Sequence, residues 1–197
     1  MKIVDGLSLP KPQRDCLRPG DLLQDGCGET HRLPRFFYEV PSWDEAKQFK
    51  LTVNFTLAEL ILVDCRESRA LFRHPPLYVP CAVTVLARYL QEFRNRVEAP
   101  VFISANGGYR SPAHQWDRSP PDGRASAHHW AAAADIYRVG DTWLDAQESI
   151  ERHARIAQGI GPEVFVRSFG CGAGETDDHL HVDLGFVTLM PHGWSEA

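Results

Sequence analysis

Two stretches far apart in this chain carry most of its candidate metal-binding side chains, and a fold that uses them has to bring them together. Residues 126–135 read Ser-Ala-His-His-Trp-Ala-Ala-Ala-Ala-Asp, with His128 seven residues before Asp135 and mostly small, apolar residues between. Residues 177–183 read Asp-Asp-His-Leu-His-Val-Asp and add Asp178, His179, His181 and Asp183. Two neutral imidazoles and one carboxylate make a three-ligand zinc site whose fourth position is open to water. Taken alone, His128, Asp135 and His181 are three candidates among 9 His and 26 acidic residues. A lone His is more often a surface or satisfied core residue than a ligand, and the bland alternative is a buried His–Asp hydrogen-bond network.

The rest of the chain bounds what can hold such a site. Its 197 residues fit one domain with an N-terminal extension and are enough to bury a core. A formal net charge of -5 gives no electrostatic reason to expect nucleic acid or an anionic membrane. No run approaches the roughly 18 apolar residues of a membrane span. The first ten residues lack a continuous apolar stretch, so no signal peptide is read there. Localisation stays open between the cytoplasm and export by a non-standard or phage route. The cysteines are Cys16, Cys27, Cys65, Cys81 and Cys171, an odd number without a C-x-x-C pair, which favours a reduced chain. A Cys16–Cys27 disulfide is the alternative.

Residues 1–50 are rich in Pro, Gly and charge, and read as an irregular arm packed on the domain. The domain itself is expected over 51–190, with 191–197 as a tail. Thr56-Leu-Ala-Glu59 is a capping box that opens a helix to about Cys65. The strongest helix runs over about 81–97, where Val83, Leu86, Leu90, Phe93 and Val97 recur at helical spacing. Residues 101–104, Val-Phe-Ile-Ser, read as a buried strand. Residues 106–112 and 119–123 read as loops. Asp135 is expected on or just before a strand, followed by a helix over about 144–158 with Gly159 as its stop. Strand candidates remain at 165–169 and around Leu180, Val182 and Leu184. Helices and strands in this arrangement predict an α+β fold with a small antiparallel sheet flanked by helices.

The pattern Ser126-x-His128-x-x-x-x-Ala133-x-Asp135, followed by His181-Val-Asp183, resembles the signature of zinc D-Ala-D-Ala carboxypeptidases and phage L-alanyl-D-glutamate endopeptidases. These are peptidoglycan metallopeptidases whose fold is shared by the Hedgehog signalling domain. Phe55-Thr-Leu-Ala-Glu-Leu60 and the loop Gly108-Tyr-Arg-Ser-Pro112 match the family in order and spacing, so the similarity covers about 51–185. Two departures stand out. The family glycine of the first motif is Ala131, which would cost about 1 kcal/mol or more if that position takes a positive φ. Residues 104–109, Ser-Ala-Asn-Gly-Gly-Tyr, are longer than the family's Ser-Gly-Tyr.

The resemblance implies one zinc per chain, held by His128, Asp135 and His181. It implies Asp178 as the proton acceptor and donor, with His179 as oxyanion stabiliser or as the acid/base in its place. Arg110 would engage a substrate carboxylate or carbonyl, suited to its planar fork. Asp183 would fix an imidazole tautomer. Tyr109, His129 and Trp130 are expected along the cleft or as packing, and Ser126 is expected to brace its loop. The bland alternatives are solvated carboxylates for Asp178 and Asp183, a strand-face imidazole for His179 and a loop brace for Arg110. His114, Trp116 and His153 receive no role. The function implied is hydrolysis of a short D-amino-acid peptide, of the D-Ala-D-Ala or peptidoglycan type, by a monomer that binds no nucleic acid. A zinc-binding module of the same fold without peptidase activity is the alternative.

Overall fold

In the computed structural model, residues 1–64, 73–114, 124–170 and 177–193 are described. The expected loop 119–123, Trp116, Cys65 and Cys171 lie outside these residues. The chain runs β1 (Ile3–Asp5), α1 (Lys11–Leu17), β2 (Leu22–Gln24), β3 (Thr30–Arg32), β4 (Phe36–Glu39), α2 (Trp43–Gln48), α3 (Leu57–Leu60) and β5 (Tyr78–Pro80). It continues through α4 (Val83–Val97), β6 (Val101–Ile103), β7 (Ala133–Val139), β8 (Thr142–Trp143), α5 (Gln147–Gln158), β9 (Phe165–Val166) and β10 (Leu180–Asp183). The result is a mixed α and β architecture of small antiparallel sheets and helices, as the element pattern predicts.

The central sheet has the order β6-β7-β10-β9, with β8 hairpinned onto β7. Its inner face carries Val101, Ile103, Ala134, Ile136, Val166, Leu180 and Val182, which pack with α4 and α5 into the main core. The buried stripe of α4 (Val83, Leu86, Leu90, Phe93) is the one read from periodicity. Alternation along β7 and β10 then sends every second residue to the opposite face. That rule places Asp135, His181 and Asp183 together, because His181 pairs with Asp135 and Leu180 with Ile136.

Three expectations need correction. The helix expected from Thr56 to Cys65 is a single turn, α3. Glu59 does accept hydrogen bonds from the N–H and hydroxyl of Thr56. However, the Leu60 and Leu62 carbonyls accept the Tyr109 and Asn106 N–H groups, both at 2.7 Å, so a loop takes the acceptors a longer helix would use. Helix α5 starts at Gln147 rather than near Leu144, because Thr142 and Trp143 pair back onto β7. Residues 1–50, read as irregular, carry four strands, two α-helices and a 3-10 turn at Gly6–Ser8. β4 joins β5 in a sheet, Asp5 and Arg35 form an ion pair at 2.7 Å, and Leu23 and Leu33 bury against Trp130 and Ala132. Their strands have three or four residues each, too short for a periodic signal.

The described cysteines Cys16, Cys27 and Cys81 are free. No described helix is long and apolar enough to cross a membrane.

Candidate metal centre

Three elements converge on the outer face of the central sheet. Asp135 is the third residue of β7 and His181 the second of β10, so strand pairing alone brings Asp135 Oδ1 within 2.7 Å of His181 Nδ1. His128 arrives from a short 3-10 helix, Ala127–Trp130, and its Nε2 lies 3.6 Å from Asp135 Oδ2. One donor atom from each of His128, Asp135 and His181 lies within 4.8 Å of the other two.

Hydrogen bonds outside the cluster set the ring orientations. His128 Nδ1 lies 2.7 Å from the Gly108 carbonyl. A carbonyl only accepts, so Nδ1 carries the proton and the Nε2 lone pair faces Asp135. Burial pushes the His128 pKa well down, against the pull of the Asp135 carboxylate. His181 Nε2 lies 3.1 Å from Asp183 Oδ2, so Asp183 does accept from an imidazole of the cluster. Burial alone would lower His181, yet its hydrogen bonds to Asp135 and Asp183 raise it. Burial alone would raise Asp135, but the imidazoles around it hold its carboxyl well below the usual range. A cation at the centre of this group would replace the His181 proton as the counter-charge to Asp135. Two imidazole nitrogens and a carboxylate, with tautomers fixed from behind, fit zinc chemistry.

The loop wall is built by close backbone approach. A Cβ on Gly108 would stand 2.0 Å from the Leu60 carbonyl oxygen, and one on Gly107 would stand 2.3 Å from Ser104 Oγ. Asp135 N–H donates to the Gly107 carbonyl and Arg110 N–H to the His128 carbonyl, so the loop is stitched to both motifs. Ala131 takes φ 54° and ψ 37°, the left-handed conformation that an alanine adopts at a cost of about 1–2 kcal/mol. The glycine of the family signature therefore has a backbone reason, and this chain does without it.

Among the other expected residues, His179 sits beside the cluster, with Nε2 3.6 Å from Asp135 Oδ1 and Nδ1 2.7 Å from Asp178 Oδ1. Asp178 is largely exposed and contacts His179. Arg110 lies at the rim, its guanidinium 3.8 Å from Asp135 Oδ2 and donating to the Asn106 carbonyl. The structure does not bring Tyr109 to the site surface: it is 2% exposed and packs in the main core. Trp130 is fully buried between the arm and Phe186. His129 is buried beside it, and burial takes its pKa to about 4. Ser126 contributes its carbonyl, which accepts from His129 N–H, and its hydroxyl makes no helix-cap bond. His153 donates to the Ser149 carbonyl within α5, a packing role. The residue that sequence reasoning passed over is Arg167, whose guanidinium is 2.8 Å from His179 Nε2. Its only signal was alternation, since Val166 beside it faces the core.

Against known proteins, residues 53–183 match the sequence model of the family described as Peptidase M15. The chain belongs to the Peptidase M15 family. No curated protein and no solved structure gives a match. The family supports a metallopeptidase, and the match spans the candidate metal ligands, His179 and the arginine loop of this M15 chain.

Proposed function

We propose that this chain is a zinc-dependent peptidase that hydrolyses a short D-amino-acid-containing peptide of the peptidoglycan type. The observation that carries the reading is the convergence of His128, Asp135 and His181 within 4.8 Å, with a second imidazole, His179, beside them. His128, Asp135 and His181 would hold the ion. When bound there, zinc supplies Lewis acidity and lowers the pKa of a bound water towards about 7.

His179 is the acid/base. Its Nδ1–H donates to Asp178, which leaves Nε2 as the basic nitrogen on the side of Asp135. Nε2 takes a proton from the attacking water and delivers it to the leaving amine. Asp178 orients the ring, and Arg167 holds Nε2 when no proton is there. Arg110, braced by the Asn106 carbonyl, engages the substrate carbonyl or carboxylate. The domain spans residues 51–190, with 1–50 as its arm and 191–197 as a tail. The fold is the Hedgehog/DD-peptidase type, and the protein acts as a monomer.

Zinc content and peptide release, measured together, test this. His128→Ala is expected to lose both zinc and hydrolysis. His179→Ala is expected to keep about one zinc per chain and lose hydrolysis by roughly 10²–10⁴-fold, the usual worth of a general acid–base group. A zinc-loaded protein that releases no amine from D-amino-acid muropeptides would be a zinc-binding module instead.

A further inference from the structure

An aromatic cluster that the metal site does not account for lies on the same sheet face as the proposed ligands. In β6, Val101 and Ile103 face the core, so Phe102 faces outward. The pairing of β6 with β7 shifts register there: Phe102 opposes Arg138, while Ile103 opposes Ile136. This bulge puts one extra residue into β7. Tyr137 and Arg138 both leave the core side, and Val139 returns to it. β8 then sets Trp143 opposite Arg138.

The side chains form one platform. The Tyr137 and Trp143 rings are 5.5 Å apart and the Phe102 and Tyr137 rings 6.2 Å. The Arg138 guanidinium lies 3.9 Å above Phe102 and 5.6 Å from Trp143. Trp143 is nonetheless 56% exposed, and Arg138 Nε is buried without a hydrogen-bond partner. An exposed indole beside a buried donor with no protein partner is the pairing of features a ligand surface offers. It lies along the same strand, β7, as Asp135 of the candidate metal centre. Tyr137 is two residues beyond Asp135, about 7 Å at a strand rise of about 3.4 Å. His179 directly precedes Leu180, which pairs with Ile136.

We propose that Phe102, Tyr137, Arg138 and Trp143 form a saccharide subsite, which takes a pyranose ring of the glycan that carries the peptide substrate. The proposal rests on the peptidoglycan reading above. A pyranose has a face of C–H groups that packs on aromatic rings and a rim of hydroxyl and amide groups that accept hydrogen bonds. The cluster offers that pair of features: aromatic rings tilted against one another, with Trp143 exposed, and a cation with donors and no acceptor. A bare peptide would instead seek main-chain pairing along a strand edge, whereas these rings stand on the sheet face.

Two readouts on the zinc-loaded full chain test this. The first is calorimetric binding of an N-acetylglucosamine tetramer, which needs no turnover. The second is the ratio of kcat/KM for a disaccharide-linked peptide to that for the same peptide without sugar. Trp143→Ala is expected to weaken saccharide binding about tenfold and cut the ratio by a similar factor, with Trp143→Phe within about threefold of the parent. Absence of saccharide binding in the parent, or equal binding in Trp143→Ala, overturns the subsite. Saccharide binding without hydrolysis of either peptide would sink the peptidase reading and keep the subsite; hydrolysis indifferent to the sugar would do the reverse.

Discussion

Asp135 and His181 reach the candidate metal centre from paired strands, while His128 and Arg110 reach it from loops, and the two walls are held by different physics. On the strand wall, geometry is a by-product of the core. Ala134, Ile136, Leu180 and Val182 bury on one face, and pleating alone projects Asp135 and His181 from the other. On the loop wall no periodicity helps. His128 is aimed by one hydrogen bond to the Gly108 carbonyl, and Gly108 can sit there only because it has no side chain. The comparison teaches that a regular wall tolerates change at its polar positions, whereas an irregular one has its tolerance spent on backbone contacts.

The largest expected effect breaks the loop wall. Gly108→Ala forces a Cβ against the Leu60 carbonyl. It should destabilise by about 3 kcal/mol and lower Tm by roughly 10 °C, with zinc binding impaired as the His128 anchor shifts. A melt unchanged within 2–3 °C, on the scale of about 1 kcal/mol, would show that the two backbones can separate without consequence. A change on the strand wall should behave differently. Asp183→Asn removes the charge behind His181 and is expected to weaken zinc affinity by about 10–100-fold with little change in metal-free Tm. A titration against a chelator of known affinity reads this, and an unaltered affinity would remove Asp183 from the site. The smallest effect sharpens the contrast within the loop wall. Ala131→Gly should relieve left-handed strain against a gain in unfolded-state freedom, a net stabilisation of at most about 1 kcal/mol and a Tm rise of about 2–4 °C. A fall in Tm would mean that the buried Ala131 methyl contributes more by packing than its backbone costs.

The same division explains what could be read from the sequence. The α4 core stripe and the inner face of β10 follow from simple periods, and both stand as read. His128, Asp135 and His181 were legible because the motif spacing resembles a known signature, and the structure does bring them together. For Tyr109, expected along the cleft or as packing, the ring turns into the core, while its loop neighbour Arg110 lies beside Asp135. The end of α3 was hidden because the groups that stop it come from a loop more than forty residues later. Arg167 was passed over because a two-residue strand gives alternation almost nothing to act on.

Trp130 carries one further consequence. It lies two residues beyond His128, and its indole N–H donates to the Arg32 carbonyl at 3.0 Å. The arm and the metal motif thus share a side chain whose position neither can change alone. Linkage is reciprocal: if docking of the arm favours the ligand-ready arrangement of His128, then a bound ion favours docking of the arm by the same free energy. On that condition the first fifty residues would serve as an effector covalently attached to the residues that follow, with a bound ion as their counterpart.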